Sequence, residues 1–234
     1  IVMDMYSLMF SPYQYNPLDY NPLRDILAEI VDFDRLRQSI KTKVFVSATN
    51  VKTSRPKIFG HDEITVDAVM ASACLPSVFK AVEIEGEYYW DGGFTGNPPI
   101  FPLIDEAETP DILLVQINPI NIDYVPTTAD EIRDRINTLS FNSSLMHEMR
   151  RVNFVQKMLE HGYDMDGLVR NLNIHHINPE VAMRNLSVSS KLNAEWKFLL
   201  KMRFLGRAMC DDWLKAHFDD IGVTSTCDLK EVFL

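Results

Sequence analysis

Trp90-Asp91-Gly92-Gly93 is the segment whose residue types and spacing carry the most chemistry. The residues before it read as a strand, so Asp91 puts a carboxylate at a strand end, where the chain must turn sharply. Gly92 and Gly93 have no Cβ. They can adopt positive φ and let a substrate or a second stretch of backbone come close. Asp-Gly is equally a common hairpin turn, and turn chemistry alone accounts for both residue types. The distribution of glycine narrows the choice of site. The chain has only 9, with none before Gly60 and none between Gly96 and Gly162. Chemistry that needs a glycine-rich loop must use residues 86–96 or be absent from these residues.

Other chemistry-bearing residues have plainer explanations. His175 and His176 are neighbours in a short strand pattern, so their side chains point to opposite faces and do not chelate one metal. His61 stands beside Asp62-Glu63 and His147 beside Glu148, without metal-ligand spacing; they read as surface or core histidines. Asp164-x-Asp166-Gly167 begins like a calcium loop but lacks the remaining ligands and the distal Glu, and reads as a turn. Ser72 lies in a small-residue helical segment without a sharp elbow, which suits helix packing beneath Asp91. Arg150-Arg151 reads as a solvated helix face. The methionines of residues 146–158 read as core, although methionine also suits adaptable lipid pockets.

Three stretches change the weight given to Asp91. They are Val46-Ser47-Ala48-Thr49-Asn50-Val51, then Ala68-Val69-Met70-Ala71-Ser72-Ala73-Cys74-Leu75-Pro76, then Tyr89-Trp90-Asp91-Gly92-Gly93 with Gly96-Asn97-Pro98. Their order and spacing resemble the C-terminal part of patatin-like phospholipases of a bacterial type. Residues 11–17, Phe141-Asn142-Ser143-Ser144-Leu145 and Leu186-Ser187-Val188-Ser189-Ser190-Lys191 fit the same family. The resemblance implies a three-layer α/β/α fold and a lipid acyl hydrolase that cleaves fatty-acyl carboxylic esters with a Ser-Asp dyad. It maps the catalytic base onto Asp91, with Gly92 and Gly93 as the supporting motif, and it calls for no cofactor and no metal. A carboxylate within about 2.6–3.2 Å of a serine hydroxyl can take its proton without an intervening histidine. A backbone oxyanion loop then stabilises the tetrahedral intermediate by roughly 3–4 kcal/mol per donor.

The family places its nucleophile in G-x-S-x-G on a strand-to-helix elbow. No serine of this chain has glycine at both −2 and +2, and residues 1–59 hold no glycine for an oxyanion loop. The expectation is therefore that serine and oxyanion loop lie upstream of Ile1. The chain then reads as the C-terminal portion of the domain, inactive by itself. Two rivals remain open. One is a non-catalytic lipid- or protein-binding relative in which Asp91 only closes a turn. The other is a hydrolase with a histidine base, which would set a histidine beside the nucleophile.

These groups need elements to hold them. Asn21 as cap, Pro22 at the first position, and Leu23, Ile26, Leu27, Ile30 and Val31 at helical spacing predict a helix over 22–38. Residues 43–48 and 57–59 read as strands and 65–74 as a helix ending before Pro76. Residues 81–84 and 88–90 read as two strands joined at Glu85-Gly86. Residues 111–117 are nearly continuously apolar, the pattern of a strand buried on both faces. Thr128 and Glu131 form a capping-box pair that opens a long helix to about 160, with a break near 142–144 and Gly162 as its stop. Residues 174–177 read as a strand, and Leu192, Trp196, Leu199, Leu205, Met209 and Trp213 as one or two helices. Alternation of strands with helices predicts an α/β fold with a mainly parallel central sheet. The 234 residues read as a single domain, with a core to about residue 125 and a helical region from about 126.

Composition bounds the partners. Hydrophobic residues at 46% and charged residues at 24% are the proportions of a globular protein. A net charge of −10 argues against nucleic acid as a partner. It also disfavours strong adhesion to anionic lipid, unless a local basic patch evades the average. The expected partner is a lipid or acyl-ester substrate, met through transient contact with a membrane surface. Cys74, Cys210 and Cys227 form no metal-knuckle or disulfide pattern and read as reduced thiols of a cytoplasmic protein. No stretch reaches the roughly 18 apolar residues of a membrane span.

Overall fold

A computed structural model describes residues 10–163, 169–183, 186, 190 and 193–234. The chain divides into two compact units, one up to Pro102 and one from Leu103 onward.

The first unit opens with α1 (Pro12–Tyr15), α2 (Pro22–Ile30) and α3 (Phe33–Arg37). Asn21 caps α2 by accepting from the Leu23 N–H at 3.2 Å, and Pro22 occupies the first position. The single helix expected over 22–38 is two. Val31 is extended, and the Asp32 carboxylate accepts from the Arg35 N–H at 2.9 Å, so an N-cap interrupts the periodic pattern. Strands β1 (Val46–Asn50) and β2 (Pro56–Phe59) follow, then α4 (Val66–Ser72), β3 (Val82–Ile84) and β4 (Glu87–Asp91). The sheet order is β2-β1-β4-β3, with every pairing antiparallel.

A mainly parallel sheet is thus not what the described residues form, and the connections explain why. β1 and β2 are joined by residues 51–55, and β3 and β4 by Glu85 and Gly86 alone, both at positive φ (54° and 80°). Links this short can only return the chain antiparallel, and two residues at positive φ twist the hairpin correctly. Ala48, Phe59, Ile64, Ala68, Ala71 and Tyr89 make the core of the unit. The rings of Phe59 and Tyr89 meet edge-on at 5.6 Å. Thr65 caps α4 by accepting from the Ala68 N–H at 3.1 Å, and the small residues of that helix let it lie close on β1 and β4.

After α5 (Phe101–Glu106), the second unit holds β5 (Asp111–Val115), α6 (Ala129–Glu160), β6 (Asn173–Ile177), α7 (Glu180–Met183), α8 (Trp196–His217) and α9 (Leu229–Phe233). β5 and β6 are parallel, as a connection carrying a 32-residue helix permits. The fold is α/β, with the antiparallel and parallel pairings in separate sheets. β5 is not buried on both faces: Ile112 and Leu114 are buried, whereas Leu113 and Val115 are 45% and 63% exposed. A strand that alternates in this way has one covered face.

α6 runs unbroken through 142–144. Ser144 Oγ donates back to the Phe141 carbonyl at 3.3 Å, and the Asn142 amide donates to the Pro119 carbonyl at 3.1 Å, so these polar side chains are accommodated within the helix. Thr128 and Glu131 make the expected capping box, and backbone N–H groups of Thr127 and Thr128 hold the Glu131 carboxyl below its ordinary pKa. Met149 is fully buried, so it serves as core. The C-terminal helical pattern is one helix, α8, and α9 packs on α6. The Asp164-x-Asp166-Gly167 segment and most of 186–191 lie outside the described residues. No helix among the described residues is long and apolar enough to cross a membrane.

Candidate active site

Asp91 is the last residue of β4, directly opposite Ala48 of β1. Its backbone is held at both its N–H and its carbonyl. The Asp91 N–H donates to the Cys74 carbonyl at 2.9 Å. Thr49 Oγ1 donates to the Asp91 carbonyl at 2.8 Å and lies 3.0 Å from Thr95 Oγ1. The three motif stretches quoted above therefore meet at one residue: β1 through Ala48 and Thr49, the end of α4 through Cys74, and the glycine bend through Asp91 itself. Thr49 carries no signal in the sequence beyond its place in the first stretch, and Thr95, between Gly93 and Gly96, lies outside the stretches altogether. A hydroxyl on a strand is too common to single out.

The bend is a single 3-10 turn over Gly92–Phe94, capped by Asp91. Asp91 Oδ1 accepts from the Gly93 N–H at 2.7 Å, which fixes the carboxylate orientation. Gly92 is required by space. A Cβ there would overlap the Ser47 carbonyl and Oγ. The expected close backbone approach thus exists, and it is Ser47 of β1 that approaches. α4 packs against β4 and the bend, with Ser72 as its last residue.

Cys74 offers no competing nucleophile. The side chain is buried, and its Sγ donates to the Lys80 carbonyl at 3.0 Å. Burial, chiefly, pushes the thiol up to about 11, with the charges of Asp19 and Asp91 adding to it. A thiol so placed stays protonated and unreactive at neutral pH.

The histidines of β6 point to opposite faces. His176 Nε2 lies 2.7 Å from Gln116 Oε1, and burial lowers the pKa of its ring. His175 is 1% exposed, with Nε2 at 3.1 Å from Asp111 Oδ1 and Nδ1 at 3.0 Å from Thr226 Oγ1. That series has the order carboxylate, imidazole, hydroxyl. It is nevertheless sealed from substrate, and Asp111 is committed elsewhere. It also accepts from Thr109 Oγ1 at 2.7 Å, the Gly222 N–H at 2.9 Å and Asn173 Nδ2 at 3.1 Å. Those bonds, led by the Thr109 hydroxyl, hold its carboxyl well below the usual range. The network ties the segment 222–226 to the strands; a buried relay of this kind is structural. His61 Nδ1 accepts from the Val44 N–H at 3.3 Å, and Asp62-Glu63 serve a 3-10 turn. Among the described residues no group of His, Cys, Asp and Glu is arranged to hold a metal ion.

Two clefts lie in the second unit. One, of about 550 Å³, is lined by Asn153, Gln156, Asn171 and residues 223–225 and 227–230; the other, of about 340 Å³, by Ile177, Met209, Trp213 and neighbours. Asp91 lines neither.

Comparison with known families places this geometry. Residues 7–104 match the patatin-like phospholipase family. Those residues are similar to that family. The patatin-like segment ends two residues past the end of the first unit, and it contains Asp91, Gly92, Gly93 and the two stretches that grip them. No curated protein matches the chain.

Proposed function

We propose that the protein is a lipid acyl hydrolase in which Asp91 is the general base of a Ser-Asp dyad. The convergence of the three patatin-like stretches on the Asp91 backbone carries this reading. A base must be positioned before its pKa matters, and three hydrogen bonds and a steric lock at Gly92 position this one. In this reading the serine sits on a G-x-S-x-G elbow that these residues do not contain, and it is supplied from outside them. The carboxylate takes the hydroxyl proton, the serine Oγ attacks the ester carbonyl, and the proton passes to the alcohol as the ester C–O bond breaks; the same carboxylate then takes a proton from water, which attacks the acyl-serine and releases the fatty acid and the free serine. Gly92 lets β1 close against the bend through Ser47, which sets where the carboxylate stands. Both compact units form part of one domain in this account. The substrate is a fatty-acyl carboxylic ester.

A second reading has one observation in its favour. Oδ1 of Asp91 is engaged by the Gly93 N–H of its own bend, which is what a plain turn residue does. A non-catalytic, ligand-binding relative follows from it. A fluorophosphonate probe separates the two. The protein carrying an elbow serine is expected to be labelled and to hydrolyse p-nitrophenyl acyl esters, while residues 1–234 alone stay unlabelled. No labelling of the serine-containing protein would establish the binding reading. Labelling of residues 1–234 alone would mean that a nucleophile lies within them.

A further inference from the structure

The N-terminal half of α8 has a composition unlike the rest of the chain. Residues 196–210 contain Lys197, Lys201, Arg203 and Arg207 and no acid, within a protein of net charge −10. Helical geometry sorts them into rows, because residues four apart stack on one face. Trp196, Leu200 and Phe204 form one row. Lys197 and Lys201 form the row on one side, and Arg203 and Arg207 the row on the other. An apolar ridge thus runs between two basic ones.

The two ends of the ridge face outward. Trp196 is 68% and Phe204 60% exposed, Leu200 between them is half-buried, and all four cations are exposed. The opposite face, with Phe198, Met202, Leu205, Met209 and Trp213, is half-buried and packs toward β6, where the Trp213 ring meets His175 edge-on at 5.7 Å. None of the four cations forms a salt bridge among the described residues; the guanidinium of Arg203 lies 5.5 Å from the Phe204 ring centre. An acidic protein has ample carboxylates to pair them, yet they remain unpaired beside exposed aromatics.

We propose that this face of α8 docks on an anionic lipid surface. The Trp196, Leu200 and Phe204 ridge enters the headgroup boundary, and the flanking Lys and Arg side chains reach lipid phosphates. Each cation near such a surface contributes through its attraction to anionic headgroups. The bulk negative charge of the protein favours presenting this basic patch toward the membrane. The aromatic row decides for lipid over nucleic acid or an acidic protein, since large apolar side chains between cations gain by leaving water. Docking is independent of the proposed hydrolysis, because vesicle binding is read without turnover.

The test is sedimentation of the intact protein with vesicles of pure phosphatidylcholine and of an equimolar mixture of phosphatidylcholine and phosphatidylglycerol. Binding is expected on the mixed vesicles alone and weakens with added salt. Lys197→Gln with Lys201→Gln lowers the partition coefficient about 30-fold, and Arg203→Gln with Arg207→Gln does the same from the other row. Lys215→Gln, beyond the acid-free stretch and paired with Asp212, leaves it unchanged. Circular dichroism checks that each variant is folded. Equal binding to both vesicle types, no change in either double variant, or an equal loss in Lys215→Gln would overturn the proposal. Binding to polyadenylate without vesicle binding would assign the face to nucleic acid and overturn it as well.

Discussion

At the level of single residues, Gly92 is the most constrained position of the proposed site. Any side chain there meets the backbone carbonyl of Ser47, which cannot rotate away as a side-chain tip could. Gly92→Ala is expected to destabilise the protein by about 1–3 kcal/mol, the ordinary cost of overpacking. Chemical denaturation reads it; a change within error would mean that the two strands separate easily. Asp91 and its two glycines were legible in the sequence because carboxylate-glycine-glycine after a strand is a recognisable local pattern. The partners of the bend were not. That Ser47 is the group pressing on Gly92, or that Thr49 and Thr95 join beneath Asp91, depends on which strands pair, and local sequence does not state that. The Asp111–His175–Thr226 network was illegible for the same reason, since its members come together only when segments some 50 residues apart meet.

At the level of elements, caps decided where sequence periodicity misled. Leu23 to Val31 keep helical spacing right up to Asp32, which starts a new helix, so one helix over 22–38 is expected where two exist. The polar cap was visible; its priority over the apolar pattern was not. Thr65 was included in the helix it in fact caps. Thr65→Ala removes the acceptor for the Ala68 N–H and is expected to cost about 1 kcal/mol. A thermal melt that does not fall would show that the α4 terminus is satisfied otherwise. The alternation of strands and helices points to a parallel sheet, although the Glu85-Gly86 joint already demands an antiparallel pair. β5 looked buried on both faces because its residues are apolar on both, yet Leu113 and Val115 face outward. An apolar residue type permits burial and does not impose it.

At the level of the whole molecule, acid stability follows from Asp111. Its folded-state carboxyl lies well below its ordinary range, so it contributes stability above the unfolded-state pKa of about 3.9. That contribution is lost as pH falls through this value toward the folded one. The protein is expected to lose stability below about pH 4, with Asp111→Asn flattening that limb in denaturation series run across pH. An unchanged limb would place the acid sensitivity in other carboxylates. The central claim is a base at the end of β4, and exchange of that base for its amide tests it most directly. In the protein carrying the elbow serine, Asp91→Asn keeps the shape of the side chain and its capping acceptor but cannot take the serine proton. The account predicts that kcat for p-nitrophenyl acyl esters falls by about 10²–10⁴-fold while the melting temperature stays close to that of the parent. Near-parental kcat in a folded Asp91→Asn protein would contradict it.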